Sequence, residues 1–285
     1  MNESESLREK LLTWLTKQGY PLEMRFASMF RQQTKLDVRQ GWHYSDPETA
    51  VSREIDVVCT HSEALGLAAV HFAISCKAGS KPWILFTSLH TMDNYSRLLR
   101  FAFTSREARG EIADSQLAKS DPGPARRPPL SWFWDDSATG YTIVQAFNEK
   151  TDVPFSATVS AVKAALYCCL SSPQHNSAPR FSISFPVVVT SAPLFACSMD
   201  ETGATQLSEI DVGFLLFQQK IRDIPAIRVA VVAEKGVTSY VGQCKAVVSE
   251  LQAILAPAVE REWKGIQARS RGAEGGSSAA DEGQP

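Results

Sequence analysis

Apolar residues at helical spacing indicate several helices along the chain. Over residues 4–18 they fall on one face of a helix. Gly19-Tyr20-Pro21 then ends this helix and opens the next, since Gly favours helix ends and Pro favours the first helical turn. The predicted helices cover residues 4–18, 21–34, 155–171 and 239–264, and one more begins near Asn94.

Short runs rich in apolar and β-branched residues separate these helices and predict strands. The order of two helices, four strands and a helix, then further strands and helices, favours a mixed α/β fold with at least one antiparallel hairpin. The predicted strands cover residues 36–46, 52–61, 67–77, 83–86, 141–147, 181–190, 193–199, 209–218 and 227–233.

Two stretches lack any such periodicity. Residues 105–130 contain Asp121-Pro122-Gly123-Pro124 and are predicted to form an irregular loop, because these residues oppose regular structure. Residues 265–285 are rich in Gly, Ala and Ser and are predicted to be a disordered tail. We therefore expect a core over 1–104, the loop, and a continuation of the same α/β domain over 131–264.

Composition narrows the class of protein further. Hydrophobic residues make up 44% and charged residues 21% of the 285 residues, which is typical of a globular protein. The net charge is −2, so any contact with nucleic acid must come from a local basic patch. Six cysteines lie without a CxxC pair, mostly within apolar runs, which indicates buried thiols. We expect a cytoplasmic protein with no membrane segment, since the apolar runs are short.

Two neighbouring predicted strands carry the residues that point to chemistry. Asp56 lies in the run Arg53-Glu54-Ile55-Asp56-Val57-Val58, and Lys77 ends the run Ile74-Ser75-Cys76-Lys77. If the chain reverses around Leu65-Gly66, Asp56 lies opposite Ser75 and within a residue or two of Lys77. Strand alternation would put Glu54, Asp56 and Val58 on one face and Ile55 and Val57 on the other.

An Asp beside a Lys suits metal-assisted hydrolysis of a phosphodiester. The carboxylate of Asp56 and the backbone carbonyl of Cys76 are oxygen ligands of the kind that Mg²⁺ or Mn²⁺ prefers. The metal would lower the pKa of its bound water, and Lys77 would stabilise the charge that develops on the phosphate. The pattern therefore predicts a metal centre at Asp56 and Lys77.

These runs resemble the PD-(D/E)xK superfamily of restriction-endonuclease-like proteins. Arg53-Glu54-Ile55-Asp56 looks like the Asp strand of that superfamily, and Ser75-Cys76-Lys77 looks like a degenerate Glu-Cys-Lys. Glu23 stands where such proteins carry an acid on a helix. The resemblance covers about residues 5–100. It implies a restriction-endonuclease-like core, a mixed sheet flanked by helices with a C-terminal α/β extension, and a metal-dependent nuclease acting on DNA in bacterial defence or DNA processing.

Ser75 departs from this pattern because it takes the place of a metal-binding acid. Either another carboxylate supplies the missing charge, with Glu23, Glu54 or Asp93 as candidates, or catalysis is lost. For Glu54, an ion pair with Lys77 is favoured over metal binding. In the second case the chain would be a nuclease-like module that binds nucleic acid or a protein partner. A third alternative is an adaptor protein in which these polar groups only form ion pairs.

Overall fold

The computed structural model describes residues 3–15, 18–46, 48–96, 100–115, 129–133, 139–147, 152–171, 179–219 and 226–277. Within these ranges the chain is an α/β protein built on one large mixed sheet. The helices are α1 (Glu3–Leu15), α2 (Tyr20–Gln33), α3 (Arg106–Asp114), α4 (Val153–Leu170) and α5 (Val237–Ser277).

The strands follow the prediction closely at most positions. They are β1 (Asp37–Ser45), β2 (Ser52–Ser62), β3 (Ala68–Lys77), β4 (Trp83–Ser88), β5 (Phe103–Thr104), β6 (Thr139–Gln145), β7 (Phe181–Thr190), β8 (Leu194–Met199), β9 (Thr205–Glu209), β10 (Val212–Phe217) and β11 (Ile227–Ala233). Their order in the sheet is β1-β2-β3-β7-β11-β10-β6-β4-β8-β9, with β5 paired to β7. We call β1, β2, β3, β7 and β11 the proximal half and the other strands of this order the distal half.

Helices cover both faces of the proximal half. One core lies between this sheet and α2, α3 and α5, and includes Phe26 and Phe72. The other lies under α4 and includes Ala165 and Val188. Burial on both faces explains why β3 and β7 are mostly apolar.

Short bends also join the two halves of the sheet. β3 continues into β4 through residues 78–82, and β7 continues into β8 through residues 191–193. β3 and β7 pair in parallel, as do β4 and β8. Hydrogen bonds link the two bends at both ends. Ser191 N–H donates to the Lys77 carbonyl, and Trp83 N–H donates to the Pro193 carbonyl. The sheet is therefore one strongly curved unit. Residues 1–104 do not contain β7, the parallel neighbour of β3, so they do not complete this sheet by themselves.

Several segments differ from the sequence prediction, among them the strands β5 and β9, which were not predicted. Part of the stretch expected to be irregular forms α3, whose first turn is capped by the Ser105 hydroxyl accepting the Ala108 N–H. α5 was predicted to end at 264 but continues to Ser277, so the prediction of a disordered tail from 265 was wrong as far as Ser277. Residues 116–128 and 278–285, from the same predictions, lie outside the described residues.

Among the described helices, α4 is long and apolar enough, by length and composition alone, to cross a bilayer. In the structure 61% of it is buried against the sheet, as in the core helix of a soluble protein.

The prediction of free thiols is confirmed: all six cysteines are free, and five are buried.

A buried ion network fixes the turn between β1 and β2. The Asp46 side chain is inaccessible and accepts hydrogen bonds from Arg53 and from Lys163 of α4, the latter at 3.0 Å. Lys163 also contacts Glu48 at 2.7 Å. Burial alone would raise the pKa of Asp46, but hydrogen bonds from Glu48 N–H, Lys163 and Arg53 hold it well below its usual range.

We expect Lys163→Met to destabilise the fold by about 3 kcal/mol at pH 7, because it leaves a buried carboxylate short of one partner. Because the pKa of Asp46 is lowered on folding, this stabilisation is present above pH 3.8 and is lost as the pH falls below it. Urea denaturation at pH 7 and pH 3 measures both effects. Lys235→Met, at an exposed ion pair with Glu209, is the control and should change stability little.

Candidate metal and phosphodiester site

In the β1–β2 pair, the regular alternation of side chains between the two faces of the sheet is interrupted at Asp56. Val57 packs in the core beside α2, whereas Ile55 packs in the core beside α4. Regular alternation would give these two residues the same face, so the predicted face assignment for β2 was wrong at this point. Opposite Asp56 in β1 lies Gly41, whose φ of 60° is readily adopted only by glycine. The irregularity is therefore local to Gly41 and Asp56.

Asp56 uses its side chain to continue the sheet where the backbone pairing stops. The β2–β3 pairing ends at Val57 opposite Ile74, so the next position places Asp56 opposite Ser75, as predicted. Asp56 Oδ2 accepts the Cys76 N–H at 2.6 Å and the Ser75 hydroxyl at 3.4 Å. The same oxygen lies 3.8 Å from Lys77 Nζ. The predicted meeting of Asp56 and Lys77 is therefore present.

The Cys76 carbonyl faces the same end of the β2–β3 ladder. In a strand the N–H and C=O of one residue point to the same side, and the Cys76 N–H points to β2. Since the paired ladder has already ended, no β2 amide stands opposite this carbonyl in the regular pattern. The Cys76 oxygen is thus directed toward the space beside Asp56.

Glu23 reaches this space from the first turn of α2. Both Glu23 Oε1 and the Cys76 carbonyl oxygen lie within 4.0 Å of the point where a Cβ on Gly19 would stand. Burial raises the pKa of Glu23 from its usual 4.5 to about 7, with further increases from the charges of Asp56 and Glu54 and a decrease from Lys77. Three carboxylates and one ammonium therefore share one electrostatic environment.

The two remaining candidates lie in different positions. Glu54 is exposed, lies near the position of a Gly41 Cβ, and contributes to the raised pKa of Glu23. The ion pair of Lys77 is made with Asp56 and not, as favoured from the sequence, with Glu54. Asp93 lies in the turns after β4 and accepts a hydrogen bond from His90 at 2.9 Å. It is not among the charges that act on Glu23.

The donor chemistry of this cluster suits a hard cation. Asp56 is 21% exposed and Lys77 33% exposed, so the cluster is accessible but partly desolvated. All three contacts of Asp56 fall on Oδ2, and Oδ1 carries none of them. Within the described ranges no three His, Cys, Asp or Glu side chains already form a metal-binding group. A cation would therefore need Asp56, Glu23 and a backbone carbonyl together, which are oxygen donors that Mg²⁺ accepts.

Two glycines contribute to the site and were not identified as site residues from the sequence. Gly19 was interpreted only as the boundary between two helices, yet the absence of a side chain there leaves the space between Glu23 and Cys76 open. Gly41 permits the backbone change beside Asp56. A glycine within a predicted strand is the one sequence feature that indicates such an irregularity.

Replacing Glu23 tests the electrostatics of the cluster without any ligand. The folded state binds the Glu23 proton more tightly than the unfolded chain, so this residue's contribution to stability falls as the pH rises from 4.5 to about 7. Glu23→Gln should therefore stabilise the fold at pH 8 by about 1–2 kcal/mol after solvent screening, and change it little at pH 4. Urea denaturation at both pH values measures this. Glu260→Gln, at an exposed ion pair with Lys264, should give no gain at pH 8.

No protein-family model, no curated protein and no solved structure matches this chain. The site must therefore be interpreted from its own geometry and from the resemblance of its motifs.

Proposed function

We propose that this chain is a metal-dependent nuclease that hydrolyses DNA phosphodiester bonds. The observation that carries the proposal is the contact between Asp56 and Lys77 at the end of the β2–β3 ladder, with the Cys76 carbonyl directed into the same space. Its resemblance to the PD-(D/E)xK arrangement supports this assignment, as does the order of a helix that carries Glu23, two antiparallel strand pairs and a parallel strand. A restriction-endonuclease-like core is part of the proposal.

Asp56, Glu23 and the Cys76 carbonyl would hold Mg²⁺ or Mn²⁺. When bound, such a cation lowers the pKa of a coordinated water and neutralises charge on a phosphate. The raised pKa of Glu23 supports this role, because a cation would relieve the repulsion among Glu23, Asp56 and Glu54. Cation affinity should therefore increase as the pH rises through about 7.

Lys77 would act on the phosphate and on the attacking water. Its ammonium is held beside Asp56, and the side chain is one-third exposed. Lys77 can therefore contact a substrate while it keeps its ion pair with Asp56. A compact positive charge at this point stabilises the negative charge that develops on the phosphate oxygens. Ser75 donates its hydroxyl to Asp56 and would orient that carboxylate. A cytoplasmic setting, in which the six cysteines stay reduced, agrees with this function.

Cleavage of plasmid and linear DNA in the presence of Mg²⁺ or Mn²⁺ tests the proposal. Lys77→Ala should lower the rate by about 10²–10⁴, because it removes the group that assists proton transfer and charge stabilisation. Asp56→Asn should abolish cation binding measured by calorimetry. Lys81→Ala is the matched control, since Lys81 is exposed and donates to the Phe147 carbonyl at 2.9 Å. Equal rates for Lys77→Ala and the unaltered protein would rule out the mechanism.

A second function is favoured by Ser75. A hydroxyl stands where the related motif has an acid, and the described side chains do not already form a metal-binding group. The chain would then be a catalytically degenerate nuclease-like module that binds nucleic acid or a protein partner. Ser75 is 4% exposed and adjoins Asp56, so its replacement acts directly on the site.

Ser75→Asp distinguishes the two functions. If the site is degenerate, the added carboxylate should raise Mg²⁺ affinity at least about tenfold and create cleavage that the unaltered protein lacks. If the site is already active, the change should alter affinity less and leave the cleavage rate similar or lower. Ser75→Asn, of the same size and without charge, controls for the effect of a larger buried side chain. Circular dichroism and thermal unfolding establish that each variant is folded.

A further inference from the structure

Ser191 attaches the segment that follows Lys77 to the bend between β7 and β8. Its hydroxyl oxygen accepts the Gly79 N–H at 3.0 Å, and its O–H donates to the Gly79 carbonyl at 3.1 Å. Its own N–H donates to the Lys77 carbonyl at 3.2 Å. Both backbone groups of Gly79 and the carbonyl of Lys77 therefore have a partner on one residue that is distant from them in the chain.

The bend that carries Ser191 is held on both sides. Thr190 is fully buried, and its hydroxyl accepts the Ala192 N–H at 3.0 Å. The next residue, Pro193, has a φ fixed by its ring, and its carbonyl accepts the Trp83 N–H at 2.8 Å. The bend therefore fixes where the Ser191 hydroxyl lies.

The Ser191 hydroxyl acts where the pairing of β3 with β7 stops. The parallel pairing ends with Lys77 opposite Thr190, and Gly79 is exposed to solvent. A glycine in an exposed bend has wide conformational freedom, because it has no side chain to restrict its backbone. The two hydrogen bonds from Ser191 restrict that freedom shortly after Lys77.

Both edges of β3 are therefore held by a side chain close to Lys77. On the β2 edge the Asp56 carboxylate accepts the Cys76 N–H at 2.6 Å. On the β7 edge Ser191 binds the backbone of Lys77 and Gly79. Lys77 is the last residue of β3, and its long, flexible side chain ends 3.8 Å from Asp56 Oδ2. The location of that ammonium depends on how firmly the backbone below it is held.

We propose that Ser191 is a positioning residue for Lys77, so that the later part of the chain contributes to the candidate site. Ser191 acts through the backbone of Gly79 and Lys77 and contacts neither the cation nor the substrate. The inference rests on the proposed nuclease function, in which Lys77 stabilises the charge on the phosphate. A displacement of about 1 Å in a reacting geometry can lower a rate about a hundredfold.

Steady-state cleavage of DNA in the presence of Mg²⁺ or Mn²⁺ tests this role. Ser191→Ala should lower kcat about ten- to a hundredfold and change KM by less than about twofold, because the hydroxyl does not contact the substrate. Ser191→Thr keeps the hydroxyl and should retain most of kcat. Circular dichroism and thermal unfolding establish that each variant is folded.

Ser105→Ala is the matched control. The Ser105 hydroxyl also bridges backbone groups of β7 and its flank, since it donates to the Arg180 carbonyl at 2.8 Å and accepts the Ser182 N–H at 3.1 Å. Ser182 lies near the start of β7 and Thr190 ends it, about 26 Å away by the rise of a strand. Ser105→Ala thus loses comparable hydrogen bonds far from Lys77 and should keep the kcat of the unaltered protein.

A second measurement needs no activity. The order parameter of the Lys77 side chain, measured by NMR relaxation on the metal-free protein, should fall in Ser191→Ala and stay the same in Ser105→Ala. Lys77→Ala identifies the signal by its loss. If the unaltered protein cleaves no DNA but Lys77 loses order in Ser191→Ala, the proposed function fails while the positioning of Lys77 by Ser191 stands.

Three outcomes overturn the inference. In an active nuclease, an unchanged kcat in Ser191→Ala shows that Lys77 needs no support from Ser191. An unchanged Lys77 order parameter in Ser191→Ala shows that the hydroxyl does not hold the side chain. Equal losses of kcat in Ser191→Ala and Ser105→Ala show that a general loss of stability is the cause.

Discussion

One hydrogen bond organises the end of the β2–β3 ladder: the Cys76 N–H donates to the carboxylate of Asp56. A strand that stops pairing leaves amide groups that must find other partners, and Asp56 supplies one of them from its side chain. This holds the carboxylate at the sheet margin, where Lys77 can contact it. It also turns the Cys76 carbonyl toward the first turn of α2 and Glu23. The spatial relation of these four residues depends on that single bond.

The β1–β2 hairpin has one aspartate at its turn, Asp46, and another in the middle of β2, Asp56, and the two act differently. Asp46 is fully buried and compensated by Lys163 and Arg53, so its charge is used for stability. Asp56 is partly exposed and lies near Glu23 and Glu54, so its surroundings remain short of positive charge. A compensated carboxylate has no reason to bind a cation, whereas an under-compensated group of carboxylates does. The contrast explains why Asp56, and not Asp46, belongs to the candidate site.

Sequence periodicity predicted most of the regular elements because burial imposes it. The strands at 181–190 and 227–233 have the predicted bounds, since both are mostly apolar and are buried at every position. The pairing of Asp56 with Ser75 followed from one assumed turn, because antiparallel register is fixed once the turn is placed. Periodicity failed where a local feature outweighed it. Gly41 allowed a change of face in β2, and a Ser105 cap formed α3 inside a Pro-containing stretch.

The sequence could not establish how the strands of the two halves are ordered. Parallel pairing of β3 with β7 joins segments far apart in the chain, and no local pattern encodes that choice. The electrostatics of Glu23 were equally inaccessible, because its raised pKa depends on burial and on charges from another strand pair. The contribution of Ser191 became evident only when the parallel pairing brought its bend beside Gly79.

The separation of β3 from β7 has a consequence for synthesis on the ribosome. β3 emerges complete by Lys77, but its parallel neighbour begins only at Phe181. At about 5–20 residues per second, one edge of this mostly apolar strand stays unpaired for roughly 10 seconds until its partner is synthesised. During that interval the nascent chain presents an unpaired hydrophobic edge, a form prone to association with other chains. A chaperone that shields this edge during translation would protect the nascent chain until β7 is available to pair with β3.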